Sequence, residues 1–232
     1  MAVAEPLSIS FADAGSASQV FAIAGVGALA KVGEQLTAGA PPVLVQTGES
    51  WRISSPGCFE LELASWGHGA SLGDDGVLAW PCGAHGSVGS QPVAGLAMAV
   101  RETGAAAALE RSLAVLFDAQ LAFALRATRP PGAGGHGEEE LSAIAFRGDP
   151  LEPARIEKPR LSSSYDAAGQ LTHAGIELWE AEDSEFPLRI GGEATAAGEL
   201  AHPGGASTRV TFVAWHHEGR HGLGSYTITQ AA

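Results

Sequence analysis

Alternation between apolar and polar side chains at every second position constrains this chain more than any other feature of its sequence. It is cleanest in Phe59-Glu60-Leu61-Glu62-Leu63, where the apolar groups share one side of an extended backbone and the carboxylates the other, because successive Cβ atoms of a strand point to opposite faces. Such a segment folds as a half-buried strand. Similar patterns run through Leu7 to Phe11, Leu121 to Ala127, Ala174 to Trp179, Val210 to Trp215 and Ser225 to Thr229, each bounded by turns rich in Gly, Pro or Asp. Gly73-Asp74-Asp75-Gly76 and Asp166-Ala167-Ala168-Gly169 suit hairpins, since Gly and Asp tolerate the positive φ angles that tight connections require. The expectation is an all-β, antiparallel fold with little helix.

The 31 glycines are spread along all 232 residues, which fits many short strands with bends and bulges in strongly curved sheets. Curvature that runs to closure removes exposed edges and leaves a cavity able to hold one small ligand. The length allows one large all-β unit or two small ones. Only Gly104 to Arg111 has helix propensity; it is expected to connect two β halves, residues 1–104 and 105–232. The segment Pro130 to Gly135 reads as a long hairpin loop.

Composition narrows the function. The net charge of −13 and the lack of a Lys/Arg cluster make nucleic acid and anionic membrane surfaces poor partners. Met1 to Pro6 lacks the basic and apolar regions of a secretory signal, and no stretch approaches the apolar length of a membrane span, so a cytoplasmic location is expected. Cys58 and Cys82 are expected as free thiols.

Two motifs imitate sites. Val20 to Ala24, followed by Gly25-Val26-Gly27 and a further apolar run, resembles a dinucleotide fingerprint, but the chain beyond it lacks the helix-strand alternation of a parallel sheet, so a glycine-containing β hairpin is the preferred reading. His216, His217, Glu218 and His221 cluster near the C-terminus, and His136 precedes Glu138 and Glu140. Adjacent histidines on a strand face opposite ways and Glu218-Gly219 looks like a turn, so no metal is assigned and no cofactor is expected.

The segment Ala174 to Trp179 places Glu177 and Trp179 on one face and Ile176 and Leu178 on the other. If the Glu177 face looks inward, a carboxylate stands beside an indole in an apolar cavity, where desolvation raises its pKa and suits it to proton transfer. If it looks outward, Glu177 is solvated. An ion pair with Arg189 or Arg220 is the third reading.

Arg160-Leu161-Ser162-Ser163-Ser164-Tyr165-Asp166, Gly175 to Trp179, Arg189 to Glu193, Phe212 to Trp215 and Gly219 to Tyr226 together resemble the lipocalin-like proteins grouped with AttH and carotenoid 1,2-hydratase (hydroxyneurosporene synthase). The resemblance implies two lipocalin-like (calycin) β-barrel halves packed back to back, with an apolar ligand pocket in one or between them; some relatives protonate an alkene or fold a polyene for cyclisation. It brings forward Tyr165, Glu177, Trp179, Glu193, Trp215 and Tyr226 as pocket or scaffold positions.

The functional expectation is binding of an isoprenoid-like or polyketide-like small molecule, with cofactor-free, acid-assisted hydration, isomerisation or cyclisation. Glu177, Glu193 and Tyr165 are the candidate catalytic residues. Trp179, Trp215, Tyr226, His136 and Arg189 are the candidate ligand-binding residues, with the indoles stabilising positive charge through their π faces. The rivals are a non-catalytic lipid or pigment carrier and an interaction module without a pocket. A monomer or homodimer suits any of the three.

Overall fold

The computed structural model describes residues 7–74, 76–101, 107, 109–130, 132–133, 136–181 and 185–231. The first sheet contains β1 (Leu7–Asp13), β2 (Ser18–Ile23), β3 (Gly27–Val32), β4 (Gln35–Gly39), β5 (Val43–Thr47), β6 (Ser50–Ser55), β7 (Phe59–Ser65), β8 (Ala70–Ser71), β9 (Leu78–Val88) and β10 (Gln91–Arg101). The second contains β11 (Leu109–Asp118), β12 (Leu121–Arg129), β13 (Glu140–Arg147), β14 (Glu152–Arg155), β15 (Lys158–Tyr165), β16 (Leu171–Trp179), β17 (Leu188–Ala201), β18 (Ser207–His217) and β19 (Arg220–Gln230). One turn of 3-10 helix, His136–Glu138, completes the described elements.

All pairings are antiparallel, and both sheets share one plan. The strand order is β4-β3-β2-β1-β10-β9-β7-β6-β5 in the first, with β8 added beside β9, and β14-β13-β12-β11-β19-β18-β17-β16-β15 in the second. In each half the first strand pairs with the last, and the chain meanders outward from that central pair on both sides. The outer strands come back together as the sheet curls. Ser55 Oγ donates to the Ala40 carbonyl at 2.8 Å in the first half, and β13 comes against β15 in the second. Sharply positive φ angles at Glu218 (47°) and Gly219 (81°) form the two-residue turn between β18 and β19, matching strand twist.

Each curled sheet fills its interior with one face of its alternating strands. In the N-terminal half Trp51 and Trp80 meet edge to face at 5.6 Å amid Leu7, Ile9, Phe11, Leu61 and Leu63. In the C-terminal half Leu113, Phe123, Ile176, Leu178, Trp215 and Tyr226 line the interior. Fully burying each large side chain stabilises the fold by about 1.5–3 kcal/mol.

The opposite faces of the central strands pack the halves together. Ala12, Ala79 and Met98 meet Ala114, Leu116, Ala122 and Phe146, while Phe21, Ile23 and Leu29 meet Leu200, Val210 and Phe212. Central strands therefore carry apolar groups on both faces, which is why β2 is buried throughout where β7 alternates. Polar ties cross the same layer: the Ser10 and Ser225 hydroxyls hydrogen-bond, and Gln19 Nε2 donates to the Gly224 carbonyl at 3.0 Å.

One expectation fails. Leu109 to Arg111, read as the end of a helical connection, belong to β11 and pair with both β12 and β19. Pairing on both edges and burial of Arg111 override the local preference. Of the rest of that stretch, Gly104 to Ala106 and Ala108 lie outside the described residues. The glycine-rich segment at Gly25 is the tight turn of the antiparallel β2-β3 hairpin, with Gly25 at φ 73°; β2 and β3 are not the parallel strands a dinucleotide site needs.

Candidate functional site

A crevice of about 510 Å³ opens where the two halves meet, at the end that carries the β1-β2, β11-β12 and β18-β19 turns. Its size falls in the range of small-molecule sites. The cross-strand row Leu116, Leu223 and Ala214 supplies one wall, and the paired Ala12 and Leu96 the other. Phe117, Trp215 and the small side chains of Ala14, Ala17 and Ala94 complete an apolar lining. The Nε1–H of Trp215 is buried and has no acceptor among the described residues.

Among the described residues, three titratable groups line this crevice: Asp13, Asp118 and His221. Asp13 holds the β1-β2 turn. Its Oδ1 accepts from Gly15 N at 2.9 Å and Ser16 N at 3.4 Å, and its Oδ2 from Ser16 Oγ at 2.8 Å and Ala94 N at 3.3 Å. Burial pushes the Asp13 pKa up, but the Ser16 hydroxyl and the backbone N–H groups of Gly15, Ala94 and Ser16 together outweigh it, and the net shift is downward. Asp13 is thus held as a carboxylate. Asp118 Oδ2 accepts from Arg220 Nη1 at 2.6 Å, and its Oδ1 from Gln120 N at 2.8 Å. The His221 imidazole is exposed.

A second polar constellation lies inside the C-terminal half, toward its opposite end. Arg111, 3% exposed, projects inward from β11, and its Nη2 pairs with Glu139. Arg129 Nη2 donates to the other oxygen of Glu139 at 2.8 Å. Arg111 Nη1 reaches the Tyr226 hydroxyl at 3.3 Å and Ser163 Oγ at 3.2 Å. The Tyr226 hydroxyl lies 3.0 Å from both Ser163 Oγ and the Tyr165 hydroxyl. Burial pushes the Tyr226 phenol up to about 12 against the opposing hydrogen bond from Ser163, so it acts as a neutral donor.

The sequence-derived residues divide between these places and the outside. Tyr165 and Tyr226 are brought into hydrogen-bond contact, and Trp215 lines the crevice. Glu177, Trp179, Arg189 and Glu193 stand on the outer face, a correction to their expected place in a pocket. On β16 it is Ala174, Ile176 and Leu178 that are buried, because that aliphatic face meets the interior packing. Glu177 instead accepts from Arg189 Nε at 3.2 Å. Arg160 stacks over the Trp179 ring at 4.7 Å. Glu193 is 72% exposed in its side chain and 3.9 Å from His173 Nε2. The side chain of His136 lies outside the described residues. His217 Nδ1 donates to the Arg189 carbonyl at 2.9 Å, and among the described residues no group of three or more His, Cys, Asp or Glu is placed to hold a metal.

Sequence reasoning missed Asp13, Phe117, His221 as a crevice residue, Arg111 and Glu139. Asp13-Ala14-Gly15-Ser16 carries a turn signal, which announces a connection but not a crevice wall.

Comparison with known proteins fits this architecture. No protein-family model and no curated protein sequence matches the chain. The crystal structure of kievitone hydratase from Nectria haematococca superposes with a TM-score of 0.55 at 12% identity, covering 97% of this chain and 87% of that one. The crystal structure of CghA superposes with a TM-score of 0.63 at 13% identity, covering 98% and 88%. At these identities the likeness is one of fold, and it extends over both halves. Among the described residues no helix is long and apolar enough to cross a membrane.

Proposed function

We propose that the crevice between the two halves binds an apolar, isoprenoid-like or polyketide-like molecule and that the protein adds water to a carbon–carbon double bond there, moves that bond or uses it to close a ring, without a cofactor. The observation that carries the reading is the 510 Å³ apolar crevice with an ionised Asp13 in its lining. One neighbour in fold is a hydratase, which is consistent with it.

In the proposed hydration, a protonated His221 gives its proton to one alkene carbon. The Asp13 carboxylate and the π face of Phe117 stabilise the cation that forms on the other. Water adds to that carbon and returns a proton to the imidazole, so atoms and charge balance. Isomerisation or cyclisation begins with the same protonation, with loss of a different proton or attack by a second double bond in place of water. Glu177 and Glu193 have no part, since both face solvent.

Incubation of the protein with a panel of prenyl alkenes and polyene polyketides in D2O tests this, because protonation from solvent-exchanged imidazole leaves deuterium on carbon. Mass spectrometry should show labelled product, lowered at least tenfold by Asp13→Asn and by His221→Gln. Recovery of a bound but unlabelled ligand would refute the catalytic reading in favour of a carrier.

A further inference from the structure

The hydroxyl chain inside the C-terminal half ends at a place the crevice does not reach. Tyr226 is 1% exposed, whereas Tyr165 is 37% exposed. The inward-facing Leu161, Ser163 and Ile228 are likewise only partly buried, so solvent reaches this part of the interior. None of these residues lines the inter-half crevice.

Donor and acceptor capacity allows the chain a direction that ends at Tyr165. A phenol offers one donor and two acceptor sites, and a guanidinium offers donors only. Arg111 Nη1 therefore donates to Tyr226 and Ser163. When Ser163 in turn donates to Tyr226, the Tyr226 proton points to Tyr165, and the Tyr165 proton is left to point outward. A cation at the head of such a chain polarises each successive hydroxyl, making the last one a stronger donor than an isolated phenol. The chain continues past the buried Tyr226 to the exposed Tyr165 hydroxyl, in an interior to which the partly buried aliphatic Leu161 and Ile228 also belong.

We propose that Tyr165 is the terminal donor of a second small-molecule site, in the mouth of the C-terminal half, which takes the carbonyl oxygen of an otherwise apolar ligand. Ser163, Tyr226 and Arg111 act through it as positioning residues. The site takes an uncharged ketone-like group rather than a bare hydrocarbon, since a hydrocarbon leaves the outward proton without an acceptor.

Cyclohexanone and methylenecyclohexane, which match in shape and differ in the oxygen, are suitable probes. The intact protein should bind cyclohexanone at least tenfold more tightly, with its carbonyl stretch shifted to lower frequency in infrared difference spectra. Tyr165→Phe should abolish both the preference and the shift, and Tyr226→Phe should reduce the shift, because it cuts Tyr165 off from Arg111. Asp13→Asn, at the crevice, should change neither, which keeps this test separate from that of the crevice chemistry. Equal binding of the two probes, no binding of either, or an unchanged carbonyl shift in a folded Tyr165→Phe would overturn the proposal.

Discussion

The Glu177 carboxylate accepts a hydrogen bond from Arg189 Nε at 3.2 Å on the outer face of the C-terminal sheet, and the Arg189 side chain is 74% exposed. The pair sits directly across β16 and β17. An ion pair in that setting is screened by water and contributes about 0.2–1 kcal/mol. A double-mutant cycle of Glu177→Gln and Arg189→Gln, measured by urea unfolding, should give a coupling energy inside that range. Neither variant should change deuterium incorporation, and a large loss of incorporation in Glu177→Gln would return this residue to the site.

Glu139 has the opposite environment. Its side chain is fully buried and faces both Arg111 and Arg129. Removing the carboxylate charge leaves guanidinium charge in the interior without its counter-ion, at a cost of roughly 3–5 kcal/mol. Urea unfolding of Glu139→Gln should show that loss. Tyr226→Phe removes one neutral partner from the same chain and should cost about 1–2 kcal/mol.

Gly224 on β19 pairs with Val115 of β11. A Cβ there would fall on the Ala114 carbonyl oxygen and crowd Trp215 Nε1 at 3.1 Å. Gly224→Ala should therefore destabilise the protein by about 1–3 kcal/mol, the usual cost of forced overpacking. Gly137→Ala, where an added Cβ meets nothing within 4 Å, should change stability by no more than about 0.5 kcal/mol. Thermal melts of the two variants check the contrast.

Asp13 sets part of the acid limit. Its folded pKa lies below the ordinary value of 3.8, so near that pH the unfolded chain binds more protons than the folded one and stability rises with pH. The contribution is present above 3.8 and is lost as pH falls through the lowered folded value. Asp13→Asn should flatten stability-against-pH curves in this acid range, most visibly below about pH 4.

Much of the fold was legible because half-buried strands alternate and their turns use Gly and Asp. Phe59 to Leu63 and the Asp166 turn announced themselves in this way, and they are found as β7 and as the connection between β15 and β16. The site was less legible, for two physical reasons. Alternation in β16 defines two faces but not which one turns inward; packing decided for Ile176 and Leu178 over Glu177 and Trp179. The crevice and the hydroxyl chain join residues far apart in sequence. Asp13, Asp118 and His221 line one crevice because β1 sits against β19 across the interface, and Arg111 reaches Glu139 and Ser163 across the interior of its own half. The helix reading at Leu109 to Arg111 failed for a related reason, since pairing on both edges outweighs propensity.

The central claim is that a small apolar molecule occupies the space between the halves. Nile red fluorescence titrated against the intact protein and against Ala214→Trp tests it most directly, because the new indole extends the Leu116-Leu223-Ala214 row into the crevice. Saturable binding with blue-shifted emission by the parent protein, weakened at least tenfold in a variant that still melts cooperatively, is the predicted result. Undiminished binding by folded Ala214→Trp would contradict it.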